Sequence, residues 1–174
     1  MITTEDLKQI VILGHLPEKM IDRLLPHIGL HRFEEGTIIF REGDPGDTFY
    51  MLKRGKVVLE QRLSDNVKVY VTSIKPGYSF GWSAVLSELG SYTLDAACTE
   101  ESEIFSIKRH AVRKLLDEDH SLGYLLMQRI VMVVKKRLDH RTEQFLRLIS
   151  THPDIKTLSE GSSGLDTIYN PSEE

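Results

Sequence analysis

Phe33-Glu34-Glu35-Gly36-Thr37-Ile38-Ile39-Phe40-Arg41-Glu42-Gly43-Asp44-Pro45-Gly46-Asp47-Thr48-Phe49-Tyr50-Met51-Leu52, running on into Lys53-Arg54-Gly55-Lys56-Val57, is the stretch whose reading decides the fold. Short runs of β-branched and aromatic residues are cut at close intervals by Gly, Asp and Pro. The glycines supply the positive φ that tight turns need, and the Asp side chains bond their own turn backbone. Such spacing describes strands too short for an open sheet and turns too tight for crossover helices, which is a closely wound antiparallel barrel.

The same texture continues on both sides. Candidate strands fall at 30–34, 37–41, 48–53, 56–62, 68–74, 78–81, 92–98 and 102–107. Alternation is clearest in Lys68-Val69-Tyr70-Val71-Thr72-Ser73. Turn signals separate the runs at Glu35-Gly36, Gly43 to Asp47, Arg54-Gly55, Ser64-Asp65-Asn66 and Lys75-Pro76-Gly77. About eight such strands predict a mainly β fold, a jelly-roll (double-stranded β-helix) barrel with flanking helices. Ser83 to Leu89 lacks turn residues and alternation, and predicts one short helix set between strands, with Ser83 as its cap.

Helical patterns flank the barrel. Residues 5–28 read as helices capped by Thr4, broken at Gly14 and resumed after Pro17. Residues 108–117 read as a short helix and 120–149 as a long one with two apolar stripes. Leu122, Leu125, Leu126, Ile130 and Val133 form the first. Tyr124, Met127, Val131, Val134, Leu138, Arg141, Phe145 and Leu148 form the second, in coiled-coil steps of three and four. A helix apolar on two faces needs two partners, here its own barrel and a second copy of itself. Four parts are therefore expected: an N-terminal helical segment 1–29, a barrel 30–107, a hinge and dimerisation segment 108–149, and a polar, mostly disordered tail 150–174.

Composition narrows the functional classes. With 22 Lys and Arg against 26 Asp and Glu the net charge is -4, which disfavours a general nucleic-acid or membrane binder. A single cysteine, Cys98, excludes an intrachain disulfide. The start Met1-Ile2-Thr3-Thr4-Glu5-Asp6 lacks the basic character of a signal peptide, and Ile130 to Val134 is too short to span a bilayer. A cytoplasmic protein is expected. No His-x-His pair, His-Glu-x-x-His, Walker loop or nucleophile elbow occurs, so no metal or catalytic centre is predicted, and haem ligation by a His or Cys has no positional signature.

The 33–57 string, the helix–barrel–helix order and Gly77-Tyr78-Ser79-Phe80-Gly81 resemble the cyclic-nucleotide-binding domain, the sensor domain of the catabolite-activator and fumarate-nitrate-regulator families, of kinase A regulatory subunits and of gated channels. The resemblance covers about residues 5–149. It implies a ligand held between barrel, long helix and a phosphate-binding cassette that reads Phe-Gly-Glu-(Leu/Ala)-Ala-Leu, then a loop, then Arg-(Ser/Thr)-Ala. Helix N-terminal amides and the Arg would hold the cyclic phosphate, and the Glu the ribose.

Here that position reads Phe80-Gly81-Trp82-Ser83-Ala84-Val85-Leu86, with Trp82 in place of the Glu. The next strand reads Ser91-Tyr92-Thr93-Leu94-Asp95, with Tyr92 on the Arg position and Thr93 on the Ser/Thr position; a shift of one puts Ser91 there. No Arg lies between Arg62 and Arg109. A charged hydrogen bond contributes roughly 1.5–3 kcal/mol, so its loss weakens a cyclic phosphate by about ten- to a hundredfold or more. Two readings of Trp82 and Tyr92 stand side by side: aromatic platforms for a ligand, or core that fills an emptied pocket. The candidate site is Gly81, Trp82, Ser83, Ala84, Val85, Tyr92 and Thr93, with Arg141 and Thr142 aligned to the long-helix positions that touch the base. Arg141 reads either as a ligand contact or cross-dimer partner of Glu143, or as a register-setting side chain.

The resemblance implies a non-enzymatic, homodimeric sensor or regulatory module that does not bind cyclic AMP or GMP in the usual way. Its effector is then a small anionic or nucleotide-like molecule, no cofactor is called for, and an effector protein receives the output. The alternative is a ligand-free dimerisation scaffold. No winged helix-turn-helix follows Ile149, so a stand-alone domain without direct DNA binding is expected, with no membrane contact.

Overall fold

In the computed structural model the described residues are 2–64, 67–86 and 90–150. Among them eight strands form: β1 Ile28–Phe33, β2 Ile38–Phe40, β3 Thr48–Arg54, β4 Val57–Ser64, β5 Val67–Ile74, β6 Ser79–Phe80, β7 Asp95–Cys98 and β8 Ser102–Lys108. They pair antiparallel in two four-stranded sheets, β1-β8-β3-β6 and β2-β7-β4-β5. This is the jelly-roll arrangement that the turn spacing predicts. Five helices accompany it: α1 Thr4–Lys8, α2 Glu18–Leu24, α3 Ser83–Leu86, α4 Arg109–Glu118 and α5 His120–Ser150.

Several boundaries differ from the sequence reading, each for a local reason. Thr3, not Thr4, caps α1: its hydroxyl accepts from Asp6 N, and the Asp6 carboxylate accepts from Thr3 N, a reciprocal capping box. A short 3-10 turn at Leu25–His27 delivers the chain into β1 at Ile28, two residues earlier than expected. The strand expected over 92–98 begins only at Asp95. Ahead of it the backbone of residue 92 is engaged by a turn: Tyr92 N donates to Asp44 O at 2.9 Å and Gly43 N donates to Tyr92 O at 2.8 Å. The Asp65-Asn66 turn, the last residues of the 83–89 helix and the tail from residue 151 lie outside the described residues.

The chain divides into two compact units, Met1–Ile130 and Val131–Glu174. In the first, Phe40, Leu52, Val57, Leu59, Ile74, Phe80, Tyr92, Ala96, Cys98 and Ile104 fill the barrel as one cluster. The first α5 stripe is buried in this unit through Leu122, Leu126 and Ile130. Leu126 and Ile130 face Leu13, Leu24, Phe49, Met51 and Val112 around an apolar gap of about 20 Å³. One residue makes the corner between α4 and α5. Asp119 closes α4, and its carboxylate accepts from Leu122 N at 2.9 Å, capping α5. The second stripe is solvent-facing: Tyr124, Val131 and Leu138 are each 64% exposed.

Candidate ligand site of the barrel

The cassette is built where β6 ends. Gly81 takes φ 73°, and a Cβ there would stand 3.0 Å from Thr48 O and 3.1 Å from the Tyr50 ring. Only glycine fits this turn. The chain then enters α3, whose first amides are already committed: Ala84 N donates to Gly81 O at 3.2 Å and Val85 N to Trp82 O at 3.0 Å. Gly46 lies against the start of α3, where a Cβ would meet Ser83 Cβ at 2.7 Å and Gly90 O at 2.9 Å. The β2–β3 turn thus presses on Ser83, which is half-buried.

Tyr92 dominates the interior. It is 4% exposed, a member of the barrel core rather than a wall of an open site. Its ring stacks on Phe40 with centroids 3.7 Å apart, inside a set of aromatic contacts that continues to Tyr50 and Phe80. Its hydroxyl donates to Thr48 O at 2.7 Å and accepts from Thr48 N at 3.2 Å. Both backbone groups and the phenol are therefore tied to the segment Gly43 to Thr48. Burial, and then the neighbouring Tyr50 phenol, push the Tyr92 hydroxyl well above the ordinary tyrosine range, so it stays a neutral donor.

The remaining candidates are dispersed. Trp82 is half-buried, its ring edge-on to Phe49 at 5.0 Å. Ala84 is buried, and Val85 lines the small apolar gap near α5. Thr93 is exposed, outside any strand. Arg141 and Thr142 are exposed on α5 in the second unit, and the Thr142 hydroxyl donates to Leu138 O of its own helix at 3.0 Å. A larger recess, about 150 Å³, is bordered by Asp6, Gln9, Lys53, Pro76 and Gly77, none of them a candidate.

Three residues outside the sequence-based set shape the site. Thr48 supplies the backbone pair for Tyr92, 44 positions away, a separation that no local pattern reveals. Phe40 provides the stacking surface. Arg109, the first residue of α4, directs its guanidinium to the carbonyls of Gly46 and Gly90, and its N–H donates to Asp47 O at 2.7 Å. A cation thus stands at the cassette exit, but it is committed to backbone. Asp47 is held below the usual carboxylate range by the Thr48 hydroxyl, then by Lys108 and Arg109.

Asp95, the first residue of β7, is 3% exposed. It sits opposite Glu60 across the β4–β7 ladder, and its carboxylate accepts from Glu42 N at 2.8 Å. Lys68 Nζ bridges the two acids, 3.1 Å from Glu60 and 4.0 Å from Asp95, with Arg62 3.8 Å from Asp95. Cys98 is buried, and burial raises its thiol pKa. Among the described residues no group of three or more His, Cys, Asp or Glu is placed to hold a metal ion, and no helix is long and apolar enough to cross a membrane.

Residues 30–119, just over half of the chain, match the model of the cyclic nucleotide-binding domain. The chain belongs to that family. It is 28% identical over 83 residues to human cGMP-dependent protein kinase 2, covering 47% of this chain and 11% of the kinase. It is 27% identical over 119 residues to a CRP-like cAMP-activated global transcriptional regulator of Mycobacterium tuberculosis, covering 68% of this chain and 51% of the regulator. The chain therefore spans between about a tenth and about half of these relatives' lengths. A crystal structure of a cyclic nucleotide-binding domain from Methylobacillus flagellatus superposes with a TM-score of 0.73 at 15% identity, covering 86% of this chain and 84% of that one, a likeness of fold. In this cyclic nucleotide-binding domain Gly81 makes the positive-φ turn that leads into α3.

Proposed function

We propose that the chain is a non-catalytic, cytoplasmic regulatory module that acts as a homodimer, and that its barrel pocket is closed by its own tyrosine, so that cyclic AMP and cyclic GMP are not bound in the family's usual way. The observation that carries this reading is the placement of Tyr92: buried, stacked at 3.7 Å on Phe40, and bonded through its hydroxyl to both backbone groups of Thr48. Displacing the ring would break two hydrogen bonds of roughly 0.5–1.5 kcal/mol net each and an aromatic stack of similar size. It would also take the phenol away from the backbone N–H and C=O of Thr48. A cyclic phosphate would have to offset that cost without the Arg and Glu, each such charged contact contributing roughly 1.5–3 kcal/mol.

The sensor reading, with an anionic or aromatic effector at Gly81 to Val85 and Tyr92-Thr93, is less well supported. The amides of Ala84 and Val85 are occupied, Ser83 lies under Gly46, and Tyr92 is buried with its ring stacked on Phe40. The dimer rests on the second α5 stripe. Tyr124, Val131, Val134, Leu138 and Phe145 are 41–64% exposed in coiled-coil spacing, an apolar seam that a second copy would cover. Output would then pass through the dimer to a partner protein. The experiment that tests the closed pocket is a calorimetric titration with cyclic AMP and cyclic GMP, in which the native chain is expected to give no saturable binding.

A further inference from the structure

Outside the candidate ligand site, the recess of about 150 Å³ combines an apolar base with a fixed pair of opposite charges. Ile10 and Leu52 line it and are buried. Its frame is tied backbone to backbone. Val11 N donates to Gly77 O at 2.9 Å, Gly77 N to Leu52 O at 2.8 Å, and Leu52 N to Tyr78 O at 2.9 Å. Gly77 takes φ 87°, and a Cβ there would stand 3.0 Å from Gln9 O, so only glycine lets the β5–β6 turn approach the end of α1 so closely. A recess framed in this way needs little reorganisation to receive a ligand.

The two charges are held in place. Asp6 Oδ1 lies 3.0 Å from Lys53 Nζ, and both side chains are half-buried. The other carboxylate oxygen of Asp6 accepts from Thr3 N at 3.0 Å and from the Thr3 hydroxyl at 2.9 Å. Lys53 Nζ also stands over the Phe105 ring, 5.5 Å from its centroid. Lys53, and then Thr3, hold the Asp6 carboxyl below the usual carboxylate range, so it is an anion at neutral pH. An ammonium carries three N–H donors and a carboxylate oxygen two lone pairs. Each group therefore keeps bonding capacity while paired with the other.

We propose that this recess binds a small zwitterion of the free α-amino-acid class, its carboxylate accepting from Lys53 and its ammonium donating to the Asp6 carboxylate. The charge pattern selects the class. A plain anion drawn to Lys53 would meet Asp6 beside it, and a plain cation drawn to Asp6 would meet Lys53. A zwitterion gives each wall charge its opposite and leaves the Lys53–Asp6 pair intact. The volume selects the size: a cavity of about 150 Å³ takes up a benzene ring, which is the size of alanine. Larger amino acids would have to extend past Pro76 or Gln9, both exposed. None of these residues belongs to the cassette or to the Tyr92 contacts, so the inference stands whether or not the barrel pocket is closed.

The test is a titration of the 174-residue chain with L-alanine, L-serine and L-proline, to about 20 mM each so that millimolar binding is read, followed by amide NMR. Propionate and propylammonium, each carrying one of the two charges, are the controls. Saturable shifts centred on Gln9, Lys53 and Gly77 are expected with at least one amino acid, and neither control should match its affinity. Lys53→Met and Asp6→Asn should each raise the Kd about tenfold or more, with the β7 amides unchanged as the check on folding. No saturable shift at these amides with any of the three amino acids would overturn the inference. So would propionate binding as tightly as alanine, which would mark a plain anion site, and so would undiminished affinity in either folded variant.

Discussion

At the scale of single residues the pocket is decided by what Tyr92 does with its ring and its hydroxyl. Replacing Tyr92 with Phe keeps the stack on Phe40 but leaves Thr48 N–H and C=O without the phenol, a loss of about 1–3 kcal/mol. Tyr92→Ala also removes the ring from the core and is expected to cost about 3–5 kcal/mol. Denaturant midpoints of the two variants against the native chain check both values. The pH dependence follows from the sign of the Tyr92 shift. Burial raises this phenol above its unfolded value of 10.0, so its contribution is fully present below about pH 10 and is lost as pH rises beyond that. Unfolding midpoints between about pH 8 and pH 11 should fall more steeply in the native chain than in Tyr92→Phe, where this proton is absent. Identical slopes would mean that the phenol is not sequestered in the folded state.

At the scale of elements, Asp119 carries the corner between α4 and α5. Its carboxylate is held below the usual range first by its bond from Leu122 N, then by Arg23. Asp119→Ala removes the α5 cap together with the Arg23 ion pair, and a lower unfolding midpoint than the native chain's is expected in chemical denaturation. Strands and helices were largely legible beforehand because their signals are local. Glycine and Asp spacing marked the turns, and apolar periodicity marked both stripes of α5. What escaped the sequence was set by distant contacts. β7 starts late because residue 92 bonds Gly43 and Asp44 rather than continuing a ladder. Gly81 was legible as a turn glycine and takes positive φ ahead of α3, while Trp82 is half-buried and Tyr92 is buried in the barrel core. The state of the candidate site was not legible. Whether Tyr92 faced a cavity or filled it depended on Phe40 and Thr48, and no pattern in residues 80–98 refers to either.

At the scale of the whole molecule an exposed apolar seam on α5 calls for a partner. If the seam pairs two copies, Val134→Glu combined with Leu138→Glu should convert the dimer to a monomer in sedimentation, since two like charges would be buried against their own copies. An unchanged dimer would place the interface elsewhere. The central claim, that the pocket is occupied by the chain itself, is met most directly by titrating the 174-residue chain calorimetrically with cyclic AMP and cyclic GMP, with unfolding followed in parallel. A ligand at 100 times its Kd stabilises the native state by about 2.7 kcal/mol, a shift that unfolding reads easily. No saturable heat and no rise in the unfolding midpoint are expected with either nucleotide. Saturable binding accompanied by a dose-dependent rise would contradict the claim, and would show that Tyr92 yields its place to a ligand.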